Sequence, residues 1–220
     1  MFALSTFDFY YNSPTHHSPG RIVSICDFDL VTMFDSLRGQ FLIAAKKLID
    51  PNFYRSVVLI VEHNDEGAMG LVVNRPSSVT VANALAEHFD LSQTDDLVYI
   101  GGPVQPSALF VLHNRSELDP HEVAVVPGLY VGSSAEVFEN VVHSAVDEDQ
   151  QMQFRIFCGC AGWAPGQLEG EIDRGDWFHV PATSDVLFCD DPYEVWDALR
   201  LQVHRGPVLL PDLPGEPEWN

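Results

Sequence analysis

Cys158 and Cys160 carry the most reactive side chains of this sequence. They sit one residue apart in Cys158-Gly159-Cys160-Ala161-Gly162-Trp163-Ala164-Pro165-Gly166-Gln167-Leu168. A thiol beside a helix N-terminus has a lowered pKa and becomes a better nucleophile, which would suit a thiol enzyme or redox protein. With Cys189 and a histidine the pair could also hold zinc. Zinc sites favour Cys-x₂₋₄-Cys and a second tight ligand pair, however, and neither is present. No metal is expected, and buried, inert thiols are the simpler account.

The backbone of the same stretch has chemistry of its own. The apolar run Phe154-Arg155-Ile156-Phe157 leads into glycines at 159, 162 and 166, and Pro165 stands where a helix would begin. A strand, a tight loop and a helix with outward-facing N–H groups would hold an anion or a partner's carbonyl. The candidate ligand-binding residues are Gly159, Ala161, Gly162, Trp163, Gly166 and Gln167, with Gly101 and Gly102 of the turn Gly101-Gly102-Pro103-Val104, and Arg55. The competing reading is a tight connection in which Trp163 fills the core and Gln167 bonds backbone. A nucleotide P-loop is excluded, because no Gly-Lys-Ser/Thr occurs and no lysine lies nearby. No cofactor is expected.

Other candidates reduce to local structure. Glu62-His63-Asn64 offers acid–base residues, but neighbours on a strand face opposite ways, so Glu62 and His63 do not pair. Arg55, after Asp50-Pro51-Asn52-Phe53, is either an ion-pair partner inside the fold or an anion hook. Lys46-Lys47 reads as solvated surface, and His88, His113, His143 and His179 lack metal-like spacing.

These blocks occur in a recognisable order. Gly39-Gln40-Phe41-Leu42-Ile43-Ala44, Asp50-Pro51-Asn52-Phe53, Arg55-Ser56-Val57-Val58-Leu59, Glu62-His63-Asn64, Gly67 to Pro76, Gly101 to Val104 and Ala161 to Leu168 follow one another between Leu37 and Phe188. The chain thereby resembles the bacterial YqgE/AlgH family. That resemblance implies a compact α+β domain and a transcriptional-regulator label that names no biochemical activity. The family pattern has Tyr where this chain has Cys160, so it passes on no role for that thiol.

Charge limits the partners. The formal charge is −21, with lysine only at 46 and 47 and arginines scattered singly. Duplex affinity depends on clustered Lys and Arg, so direct DNA binding is not expected and any effect on transcription would be indirect. A basic protein partner or a small anionic ligand is expected instead. No apolar run approaches the roughly 20 residues of a membrane span. Residues 1–11 lack a basic n-region and a cleavage signature, and the cysteines at 26, 158, 160 and 189 form no disulfide framework. A cytoplasmic protein is expected.

Residues 1–36 read as an N-terminal extension, 37–204 as one α+β domain and 205–220 as a Pro-rich tail. Strands are expected at 40–45, 56–62, 69–74, 97–100, 107–113, 123–126, 154–158, 177–180 and 186–188. Asn64-Asp65-Glu66-Gly67 predicts a hairpin between two of them. Helices are expected at 81–89 behind Thr80, at 134–147 behind a Ser133/Glu136 capping box, after Pro165, and at 192–203 behind Asp191. Clustered strands with interspersed helices imply a single α+β domain around a mixed, largely antiparallel, barrel-like sheet. The function read from this is a non-enzymatic binding or regulatory protein, with a thiol-based enzyme as the alternative.

Overall fold

A computed structural model describes residues 36–86, 96–118, 122–146 and 152–205. Apart from Ser36 and Arg205, the expected N-terminal extension and Pro-rich tail lie outside them, as does the end of the helix expected at 81–89. Runs of Val, Ile, Leu and Phe build strands β1 (Gln40–Ala44), β2 (Val57–Asn64) and β3 (Gly67–Val72). Next come β4 (Pro76–Thr80), β5 (Leu97–Ile100), β6 (Val104–His113), β7 (Tyr130–Gly132), β8 (Phe154–Trp163) and β9 (Trp177–Pro181). The helices are α1 (Val81–Leu85), α2 (Ala135–Val146), α3 (Gln167–Asp173), α4 (Ser184–Leu187) and α5 (Val195–Arg205).

One mixed sheet runs β4-β5-β8-β3-β2-β1-β9, with β6 paired to β8 and β7 to β6. Among the described residues only the β5–β8 pairing is parallel. The expected α+β architecture is present, but the sheet does not close as a barrel: its path ends at β4 and β9. The expected hairpin joins β2 to β3.

Strand β8 organises the molecule. Its residues Ile156–Cys158 pair with β5 along one edge and with β6 along the other. Beyond Gly159 the β5 edge gives way to β3, through Ala161–Gly70, Gly162–Met69 and Trp163–Ala68. The chain must therefore pass from one side of β8 to the other between β5 and β6, and Gly101-Gly102-Pro103 is that crossing. A Cβ on Gly101 would lie 2.2 Å from the Gly159 carbonyl oxygen, and one on Gly102 would lie 2.3 Å from the Cys160 carbonyl. Only glycine permits backbone to lie on backbone this closely.

Several expected elements are placed differently. Residues 158–163 continue the strand instead of turning, with Gly159 at φ +71° within it. The segment 186–188 belongs largely to α4, because Thr183–Ser184 opens a helical turn there. Residues 123–126 form no strand and lead into a turn at 127–128 closed by the Val126–Leu129 bridge. Ser134, not Ser133, caps α2 by accepting the Val137 N–H at 3.2 Å. Thr80 caps α1 as its position suggests, accepting from Asn83 N–H at 3.3 Å.

Candidate functional site

Four of the residues singled out in the sequence meet in three dimensions, as a seam. Gly101, Gly102, Gly159 and Ala161 are buried where the crossing passes over β8. Their polar groups serve the fold: Gly101 N–H donates to the Cys158 carbonyl and Val72 N–H to the Gly101 carbonyl, each at 2.8 Å. Gly162 is exposed opposite Met69 on β3. Gly166 takes φ +73° as the N-cap of α3, with open space where a side chain would stand.

The start of α3 is occupied by the protein itself. Gln167 Oε1 accepts the Ala164 N–H at 3.1 Å, while Gln167 Nε2 donates to Glu171 at 2.9 Å. Glu171 Oε2 also accepts both indole N–H groups, from Trp163 at 2.9 Å and Trp177 at 2.8 Å. Phe53 stacks on Trp163 at 6.0 Å and meets Trp177 edge-on at 5.5 Å. Trp163 therefore fills the core and Gln167 bonds backbone. Arg55, at φ +54°, pairs with Asp197 and lies 4.6 Å over the Trp196 ring. Its backbone is held by the buried Asn74, whose amide donates to the Arg55 carbonyl at 3.0 Å and accepts the Val57 N–H at 2.8 Å.

The other candidates also resolve. His63 is buried, and its Nδ1 accepts the Leu37 N–H at 2.9 Å. The ring proton therefore lies on Nε2, 2.8 Å from Glu169 rather than facing Glu62. Burial pushes the thiols of Cys158 and Cys160 above the usual range, the reverse of what a nucleophile needs. Among the described residues no group of His, Cys, Asp and Glu is arranged to hold a metal.

A second region was passed over in the sequence. A cleft of about 350 Å³ opens at the start of β8, between β5 and the segment 188–190 that follows α4. Val81, Ile156, Met152 and Phe154 contribute apolar wall, and Asp96 and Asp190 line it as exposed carboxylates. Arg155 is its distinctive member. The guanidinium lies 4.6 Å over the Tyr99 ring and 5.9 Å from that of Phe188, and Nη2 donates to the Cys189 carbonyl at 2.8 Å. Nη1 is buried with no hydrogen-bond partner among the described residues. Burial raises the Tyr99 phenol; the nearby Arg155 charge opposes that rise, and Cys189, Tyr193 and Asp96 add to it. The sequence signal was a lone arginine inside an apolar strand run.

Comparison with known proteins agrees with this architecture. A family model described as DUF179, AlgH-like, matches residues 41–205. A UPF0301 protein of Chlorobaculum tepidum is 37% identical over 158 residues, covering 72% of this chain and 82% of that protein. One from Myxococcus xanthus is 35% identical over 178 residues, covering 80% and 95%. The solution structure of the AlgH protein from Pseudomonas aeruginosa superposes with a TM-score of 0.63 at 32% identity, over 83% of this chain and 97% of that one. A crystal structure of a Corynebacterium diphtheriae protein gives 0.59 at 27% identity, over 79% and 88%. No helix among the described residues is long and apolar enough to cross a membrane. With the family's blocks laid along one sheet and its pattern matched over most of the sequence, the chain belongs to the AlgH-like family.

Proposed function

We propose that this chain is a non-enzymatic binding or regulatory protein that engages a basic protein partner at the Arg155 cleft. The observation that carries this reading is the cleft's charge arrangement. Asp96 and Asp190 line it beside Arg155. Asp191, Tyr193 and Glu194, all exposed, follow directly in sequence. The acidic groups, on a chain of formal charge −21, attract cationic surfaces over long range. An effect on transcription would then pass through the partner, in a cytoplasmic setting, without direct duplex contact.

Titration of the full chain with a lysine-rich peptide, followed residue by residue by NMR, tests the reading. Shifts should centre on Tyr99, Arg155 and Asp190 and weaken as salt rises through the physiological range. A neutral peptide of equal length producing the same shifts would overturn it.

A further inference from the structure

We infer that Arg55 and Arg200, both packed on Trp196, dock a carboxylate side chain carried by an acidic segment of a partner protein. This surface shares no residue with the lining of the Arg155 cleft. Its foundation is Trp196, a buried ring whose indole N–H donates to the Ala44 carbonyl at 2.8 Å. The Arg55 guanidinium lies 4.6 Å from the ring centroid and that of Arg200 5.3 Å. Arg200 follows Trp196 by one turn of α5, the i+4 spacing at which helical side chains meet. Arg55 arrives from a loop clamped by Arg75, whose guanidinium donates to the carbonyls of Asn52 and Tyr54. Both cations are thus positioned before any ligand arrives, which lowers the ordering cost of binding.

Charge balance selects the ligand. Acidic residues outnumber Lys and Arg 32 to 11 in this chain, so an arginine readily finds a carboxylate. Arg55 does, pairing with Asp197. Arg200 does not. Its Nε is buried without a partner, and its terminal nitrogens, which escape that burial, have no acceptor among the described residues. With Asp197 matching Arg55, one positive charge is left over. A carboxylate is the monoanion whose shape matches a guanidinium fork. A phosphate dianion would leave negative charge unmatched on a chain of formal charge −21. Apolar surface shows what carries the carboxylate. A lone exposed ion pair changes binding by roughly fivefold at most, too little to hold a free small acid. Tyr54 and Leu201, the sequence neighbours of the two arginines, are 53% and 48% exposed. A segment with an apolar or aromatic residue beside its carboxylate covers these as well. Exposed arginine with aromatic surface is the composition enriched at protein interfaces.

The probes are acetyl-Glu-Glu-Leu-Phe-amide, its counterpart with both glutamates replaced by glutamine, and inorganic phosphate, each titrated by NMR into the full chain. The acidic peptide should shift the Trp196 indole N–H and the Arg200 Nε signal, and bind roughly fivefold more tightly than the neutral one. Arg200→Gln should abolish that preference. Asp197→Asn frees Arg55 from its internal partner and should strengthen binding of the acidic peptide several-fold, an effect that a merely structural Arg55 does not give. Equal binding of the two peptides would overturn the assignment, as would unchanged affinity in Asp197→Asn or phosphate displacing the acidic peptide. Shifts confined to the Arg155 cleft, or no binding by any probe, would overturn it too. Because the comparison of the two peptides uses the unaltered protein, it decides the matter even where a variant fails to fold.

Discussion

The glycine seam and the Arg155 cleft lie at two points of the same strand and have opposite characters. At the seam, Gly101 and Gly102 lie on Gly159 and Cys160 so closely that no side chain fits between, and backbone bonds backbone. At the cleft, four residues earlier than Gly159, a charged side chain enters an apolar strand and one of its donors finds no acceptor among the described residues. A dense run of glycines is conspicuous in a sequence and can still be wholly structural. An orphaned group is inconspicuous there and is the better pointer to a ligand, since native folds leave very few buried donors unpaired.

The sharpest way to break that contrast is at the seam. Gly102 has φ +153°, and an added Cβ would stand 2.3–2.5 Å from the Cys160 carbonyl and the Ala161 nitrogen. Neither atom can give way without distorting β8. Gly102→Ala should therefore cost on the order of 3 kcal/mol or more, measured by urea unfolding. A variant as stable as the parent would show that the crossing is loose enough to admit a ligand.

Asn74→Ala sharpens the same point at a distance. Its amide completes the bonding of Arg55 and Val57 where β2 begins, at a residue forced to positive φ. Removing it strands a buried N–H and a carbonyl, with an expected loss of about 2 kcal/mol in the same measurement. An unchanged midpoint would mean that Arg55 is held by Asp197 and Trp196 alone.

How much of this was legible follows from where each signal lies. Strands β1, β2, β5 and β9 declared themselves because apolar β-formers fill them nearly without interruption. The ordered family blocks carried the fold class. β4 was missed because Pro76-Ser77-Ser78 reads as a turn, and β7 because a strand of three residues has no period to detect. Glycines inside β8 were read as a loop, although a glycine within a strand equally marks close backbone approach. The cleft eluded the sequence for a different reason. Phe188 and Cys189 reach Arg155 only through the topology that returns the chain beside β5 after β9 and α4, and that proximity has no local signature.

Titration at high pH compares the two regions directly. Burial raises the thiols of Cys158 and Cys160 at the seam and the phenol of Tyr99 in the cleft. As pH rises, the unfolded chain releases these protons first, while the folded protein still holds them. Their contribution to stability is thus fully present at neutral pH, declines above the usual thiol value, and is gone once the folded groups ionise. Unfolding midpoints should fall with rising pH, less steeply in Cys160→Ala. Alkylation of Cys158 and Cys160 at neutral pH, located by peptide mass mapping, should be slow until the protein unfolds; fast modification of either in the folded protein would instead revive the thiol-enzyme reading.

The smallest expected effect is the most informative about the cleft. Arg155→Met removes a bond to the Cys189 carbonyl and a cation packed on Tyr99, each a loss. It also removes a buried donor that nothing satisfies, which is a gain. Methionine keeps the apolar stem against Tyr99 and Phe188. The opposing contributions should leave stability within about 1 kcal/mol of the parent. A loss of 3 kcal/mol or more on this substitution would instead make Arg155 a structural cation and place the cleft in the same class as the seam.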